Sequence, residues 1–262
     1  MIGGVRDSWN RSVQRAEQLA AEHEATRPLL VFYAQLLGLQ RESYDTLRNV
    51  HLSGSLERDL KAVRPCASKI LNAVSAIGPP LIAEEITELV ADGEPAIDQM
   101  LLDWWRRLAA NQFFPKVILQ PYAQLLAERS RRPVDRELYV TDYRCPFCAG
   151  PPQLSMLQGG GELEGGGRAL LCATCLTTWP FRRVRCASCG EENERRLAYF
   201  HSPAFDHLRV DACDTCRRYL KTVDLTRLGI AVPLVDEVAG APLDVWAREN
   251  GYEKIELNLV GL

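Results

Sequence analysis

Residues 144–148 read Arg144-Cys145-Pro146-Phe147-Cys148, and residues 185–189 read Arg185-Cys186-Ala187-Ser188-Cys189. Cys172-Ala173-Thr174-Cys175 and Cys213-Asp214-Thr215-Cys216 complete a set of four Cys-x-x-Cys pairs. The first and second pairs are separated by 23 residues, the third and fourth by 23 again, and the middle gap holds 10. Each pair therefore recurs 41 positions further on, and the match extends to Arg144/Arg185 and Thr174/Thr215. The pattern is an internal duplication.

Two cysteines separated by two residues wrap a tight turn and aim both sulfurs at one point; a second turn, returned by a hairpin, completes a tetrahedron. The equal gaps predict pairing of first with second and third with fourth. The two four-thiolate sites are then Cys145, Cys148, Cys172 and Cys175, and Cys186, Cys189, Cys213 and Cys216. Such donors suit zinc or a mononuclear iron of rubredoxin type. Redox dithiols of the thioredoxin sort need one pair on a βαβ frame, and none is visible. The first spacer slightly exceeds the usual ribbon length. Its Gly159-Gly160-Gly161 and Gly165-Gly166-Gly167 read as a flexible hairpin tip, since no Gly-Lys-Ser/Thr follows to make a phosphate loop. The ninth cysteine, Cys66, stands outside the repeat after Pro65 and reads as a packed thiol.

Working outward, the 262-residue chain is 47% hydrophobic with a mean hydropathy of −0.15 and no long uncharged apolar run, so no membrane span is expected. The start, Met1 to Asp7, lacks the apolar core of a secretory signal, and a cytoplasmic protein is expected. In a reducing compartment nine cysteines point to metal rather than disulfides. The formal charge of −3 argues against a polyanion binder. Arg182, Arg183 and Arg185 beside Trp179 and Phe181 do form a basic, aromatic patch that can grip nucleic acid. However, residues 138–262 carry 14 Lys and Arg against 16 Asp and Glu, a balance of −2, and each four-thiolate site with a divalent ion adds a further −2. Charge compensation and donation to sulfur explain the arginines more simply. His201 and His207 can make a third site, but eight thiolates already suffice for two.

Residues 5–132 read as helices. Val13, Ala16, Leu19 and Ala20 share one face; Pro28 opens a second helix with Leu29, Phe32, Tyr33, Leu36 and Leu37 inward. A weaker segment covers 63–77, and Pro79-Pro80 starts another over 81–90 that Asp92-Gly93 ends. A further helix covers 97–110, with one of Trp104 and Trp105 facing the core. The last, over 117–129, kinks or restarts at Pro121. Residues 128–136 read as a linker. The fold class is α+β: an all-helical domain, residues 1–135, precedes a duplicated four-cysteine domain, residues 136–262. The latter comprises two small β modules of rubredoxin or zinc-ribbon type, at about 143–183 and 184–224, and a tail, 225–262, with a helix over 242–250. Strands are expected around 169–171, 179–181, 197–200 and 208–210. Such small units need a metal staple to fold. No nucleophile, base and orienting acid can be assembled, so no catalytic residue and no enzyme activity are expected.

The run Cys145-Pro146-x-Cys148, Trp179-x-x-x-Arg183-Val184-x-Cys186-x-x-Cys189 and Cys213-x-x-Cys216 resembles the FdhE family of formate dehydrogenase accessory proteins. Arg15-Ala16-Glu17-x-Leu19, Leu197-x-Tyr199, Gly251-Tyr252 and Asn258 are similar as well; the glycine-rich insertion departs from the family. The resemblance is specific over 143–262 and diffuse over the helical half. It implies a cytoplasmic maturation factor, without turnover, that binds the catalytic subunit of respiratory formate dehydrogenase. It also implies iron, in rubredoxin-type sites, on the eight paired cysteines, with zinc as the other candidate. Two other classes compete: a rubredoxin-like electron-transfer or redox protein, and a zinc-ribbon nucleic-acid binder.

Overall fold

A computed structural model describes residues 5–106, 113–138, 141–159 and 167–262. The glycine-rich tip, residues 160–166, lies outside these, as does the end of the helix expected over 97–110.

Six helices come first: α1 (Val5–Glu22), α2 (Arg27–Leu47), α3 (Leu56–Ile77), α4 (Pro80–Ala91), α5 (Glu94–Trp105) and α6 (Phe113–Glu128). The apolar stripes close as their periodicity requires: Ala16, Leu19, Leu30, Tyr33, Leu36 and Leu37 are buried. Trp104 and Trp105 are both buried, where the sequence predicts only one of them inward. Helix α6 runs through Pro121 without restarting and is buried from Phe114 to Ala123. A helix buried on every side over one stretch belongs at the centre, and α6 packs against α2, α3 and α5. His23 rests against the Phe205 ring, 5.5 Å between centroids, while His51 is exposed.

The second half is a single sheet. Strands β1 (Pro152–Gln158), β2 (Gly167–Cys172) and β3 (Thr178–Phe181) come from the first cysteine repeat; β4 (Leu197–His201), β5 (Leu208–Cys213) and β6 (Arg218–Asp224) come from the second. The spatial order is β3-β2-β1-β6-β5-β4, so the repeats stand side by side in one orientation. Pairing is antiparallel within each repeat and parallel at the joint, from Leu154 opposite Lys221 to Leu157 opposite Asp224. Helices α7 (Pro233–Ala239) and α8 (Ala241–Glu249) follow, and β7 (Glu253–Lys254) pairs with β6. Helix α8 meets the expected 242–250 span; α7 is additional. Among the described residues no helix is long and apolar enough to cross a membrane.

Charged residues join the halves at depth. Arg15 on α1 donates to both Asp236 oxygens (3.1 and 2.6 Å), and Asp236 also accepts from the Val232 amide and meets His207 Nε2 at 2.9 Å. Lys116 on α6 reaches Glu256 (3.2 Å) and the Leu257 carbonyl. Lys221, Lys254, Glu237 and Asp244 form a wholly buried, charge-balanced cluster that also holds Tyr219 and Asn258. Buried charges are tolerable only when paired in this way.

Candidate metal centre

Each Cys-x-x-Cys turn is a hairpin closed on its own backbone. The amides of Cys145, Cys172 and Cys186 donate to the carbonyls of Gly150, Thr177 and Glu191, at 2.8–2.9 Å. The residue after each second cysteine takes a left-handed conformation: Ala149 (φ 56°), Leu176 (59°), Gly190 (78°) and Arg217 (56°). Three of these four are not glycine, and such backbone costs on the order of 1 kcal/mol or more. The four form two pairs 41 residues apart, so the duplication extends to the backbone.

The turns meet as the spacing predicts. Cys145, Cys148, Cys172 and Cys175 gather in one cage and Cys186, Cys189, Cys213 and Cys216 in another, with all Sγ atoms of each within 4.8 Å of one another. Across the turns, Cys145–Cys175 and Cys148–Cys172 stand 3.6 and 3.5 Å apart; Cys186–Cys216 and Cys189–Cys213 both stand at 3.8 Å. A tetrahedron of about 2.3 Å metal–sulfur bonds has sulfur–sulfur edges of about 3.8 Å, whereas a disulfide needs about 2.05 Å. These cages are sized for an ion. In the first cage, contact with Cys148 holds the Cys145 thiol below its ordinary range, while contacts with Cys145, Cys148 and Cys172 hold Cys175 well above it. Four sulfurs this close share protons unless a cation replaces them.

The surroundings of the two cages differ. All four thiols of the first are buried within the core shared with the helices. Gln120 on α6 donates to the Ala173 carbonyl (3.0 Å), between Cys172 and Cys175, and Gln40 on α2 donates in turn to Gln120 (3.1 Å). In the second cage Cys186 and Cys213 are buried, Cys216 is half-buried and Cys189 is exposed. Burial pushes the Cys186 thiol up; at Cys189 burial has the same sense but is outweighed by the Glu191 amide and the neighbouring thiols, leaving it low. A groove of about 430 Å³, lined among others by Arg168, Tyr199 and Arg209, borders Cys186 and Cys213.

The remaining candidates have other duties. Arg185 pairs with Asp142 (2.6 Å) and Arg182 with Glu192 (3.2 Å), so these arginines bind carboxylates rather than sulfur. His207 holds Asp236, and His201 lies beside the Tyr199 ring; neither joins a cage. Cys66 is buried, and burial raises its thiol. Sequence reasoning missed Gln120 and Gln40, which support the first cage from the helical side, and Lys116, which ties α6 to Glu256 and Leu257. Their signal was slight: polar residues on stripes that are mostly apolar. Arg15, Tyr252 and Asn258 carried a resemblance in sequence and prove to be anchors, since Asn258 donates to Glu237 and accepts the amides of Val260 and Leu262.

Comparison with known proteins agrees with this architecture. The family described as FdhE, central domain, matches residues 144–183, and that described as FdhE, C-terminal domain, matches 184–260. A protein FdhE homolog of Aquifex aeolicus is 31% identical over 195 residues, 73% of this chain and 68% of that protein. One from Pseudomonas aeruginosa is 34% identical over 125 residues, 44% of this chain but 38% of its own length. The crystal structure of the FdhE protein from Pseudomonas aeruginosa superimposes with a TM-score of 0.69 at 24% identity, covering 97% of this chain and 96% of that one; it shares the fold. With all eight cage cysteines inside the two matched regions and two thirds of the Aquifex relative covered at that identity, the chain belongs to the FdhE family.

Proposed function

We propose that this protein is a cytoplasmic accessory factor, acting without turnover, that binds the catalytic subunit of a respiratory formate dehydrogenase during its maturation. The observation that carries the proposal is the pair of four-cysteine cages in a chain of the FdhE family. The cages fix the folded shape of a sheet surface on which a client can dock, and the sulfur donor set suits iron or zinc. In this reading Cys145, Cys148, Cys172 and Cys175 hold one ion and Cys186, Cys189, Cys213 and Cys216 the other. The ion supplies cross-linking, and the chain's own residues supply the surface. Deleting the gene should abolish formate oxidation while formate dehydrogenase transcripts persist, and anaerobic pull-down of the tagged protein should retain the catalytic subunit. Unaffected activity would reject the role.

A rubredoxin-like redox role is the second reading, favoured by the exposure of Cys189. It requires an iron–thiolate absorption band that a reductant bleaches reversibly; a colourless, zinc-loaded protein from anaerobic cells removes it. Nucleic-acid binding has less support, because Arg182 and Arg185 are engaged by carboxylates.

A further inference from the structure

We infer that the two cages divide their work: the first is a closed structural staple, and the second is a ligand-exchange site at which Cys189 leaves the metal and an incoming thiol replaces it. The inference rests on the reading that each cage holds one divalent ion.

The cages have the same backbone and nearly the same sulfur spacing, so a difference in behaviour must come from what covers them. Position 41 after Ala173 is Asp214, and the contrast between the two is decisive. Ala173 is buried and accepts from Gln120 on α6, whereas Asp214 is partly exposed and binds Arg217 (3.0 Å) and the Tyr252 hydroxyl (2.7 Å). Phe147 packs against the core beside Cys148; its counterpart Ser188 is half-buried beside Cys189. Leu176 is apolar after Cys175, and its counterpart Arg217 is exposed after Cys216. At these three positions the second repeat carries polar or charged residues where the first carries apolar ones. Its two less buried cysteines, Cys189 (exposed) and Cys216 (half-buried), come from different turns.

Substitution at a four-coordinate thiolate centre needs an attacking sulfur to approach the ion and one resident sulfur to swing clear. The first cage gives neither access nor space. In the second, Cys189 lies on a turn followed by irregular chain, residues 190–193. That segment is tethered by the Glu191 carboxylate, which accepts the Asn193 amide (2.9 Å) and the Thr215 hydroxyl (2.7 Å) of the opposite turn. The tether keeps the cage assembled while Cys189 exchanges. In the step, the metal–sulfur bond to Cys189 breaks as the bond to the incoming sulfur forms. The proton of the incoming thiol passes to the Cys189 sulfur, and the metal's oxidation state is unchanged. A small thiol and a protein cysteine offer the same ligand chemistry.

The full-length chain loaded with zinc separates the possibilities. It is challenged in one arm with dimercaptosuccinate and in the other with a Cys-x-x-Cys peptide, and retained zinc is measured after desalting. One zinc should leave at least about tenfold faster than the other, as expected for a locally opening turn against a core site, and the productive arm identifies the source of thiol. Iodoacetamide applied to the loaded protein should modify Cys189 first and spare Cys145, Cys148, Cys172 and Cys175, as mapped by mass spectrometry. Cys189→Ser should retain one tightly held zinc and lose the fast phase; the alkylation map on the unmutated chain stands should that variant fail to fold. Two zincs lost at equal rates in both arms, two retained in both, or first-cage cysteines modified as fast as Cys189 would overturn the inference alone. Loading with fewer than two zincs would overturn the two-ion reading as well.

Discussion

Ala173 and Asp214 occupy one position of a duplicated turn, and exchanging their character tests how the helical half reads the first cage. Ala173→Asp puts a carboxylate at a buried position whose carbonyl Gln120 already takes. An unpaired buried charge costs about 3–5 kcal/mol, so the variant should unfold at clearly lower urea while Asp214→Ala stays within about 1 kcal/mol of the parent. The cysteines were legible in the sequence because metal geometry permits few spacings. The unequal cover of the two cages was written there too, in Phe147/Ser188, Ala173/Asp214 and Leu176/Arg217, and becomes readable once the repeat is aligned against a partner helix. Buried charge was not legible. Glu237 looks like a surface residue, yet it lies between Lys221 and Lys254. Burial alone would raise its carboxyl, but the two lysines outweigh burial and hold it down to about 2. Unfolded, the group titrates near about 4.3, so its stabilisation is complete above that pH and is lost as pH falls towards 2. Glu237→Gln should therefore destabilise by about 3 kcal/mol at pH 7 and converge with the parent near pH 2, measured by urea titration at each pH.

At the scale of elements, α3 shows where local reading stops. Periodicity suggests a segment from residue 63, yet the helix begins at Leu56. No side chain next to the helix caps it. The cap comes from the linker, where Asp135 accepts the Leu56 amide (2.6 Å), the Ser55 hydroxyl (3.2 Å) and the Trp105 indole N–H (2.8 Å). A carboxylate there satisfies orphan donors and complements the helix dipole. The stretch that reads as a linker is thus pinned, further held by the Val134 amide on the Gly54 carbonyl (3.0 Å), where φ is +90°. Asp135→Ala should cost about 1–2 kcal/mol and fray the start of α3, seen as faster amide exchange at Leu56 to Leu60 with the cages intact. Helix α7 escaped sequence reading for a related reason. Seven residues give barely two turns of periodicity, and its polar pair Asp236-Glu237 faces inward to Arg15 and the buried lysines rather than to water. Within α6, Pro121 forgoes one hydrogen bond without ending the helix, because the neighbours buried around it fix its course.

For the whole molecule, the decisive arrangement is one sheet made from two copies. A duplicated finger read in sequence suggests two beads on a string. Instead β1 and β6 join in parallel, and the hydroxyls of Ser155 and Thr222 meet across the joint beside Arg168 and Asp211. That junction depends on residues far apart in sequence, and no local pattern announces it. Separately from that joint, contacts run from the first cage to Ala173, to Gln120, to Gln40, and from α6 through Lys116 to Leu257. A structural four-thiolate ion in a finger peptide is worth about 10–16 kcal/mol near neutral pH, comparable with the stability of a whole domain. Removing metal from the first cage should consequently loosen α6, which touches it, before α4, which packs chiefly on α3 and α5. Hydrogen exchange followed by mass spectrometry should report this after chelation: Val117 to Leu126 should lose protection together with the cysteine turns, while Ile82 to Leu89 keeps its rate. Equal protection of α6 with and without metal would mean that the helical half holds itself together and that the cages stabilise the sheet alone.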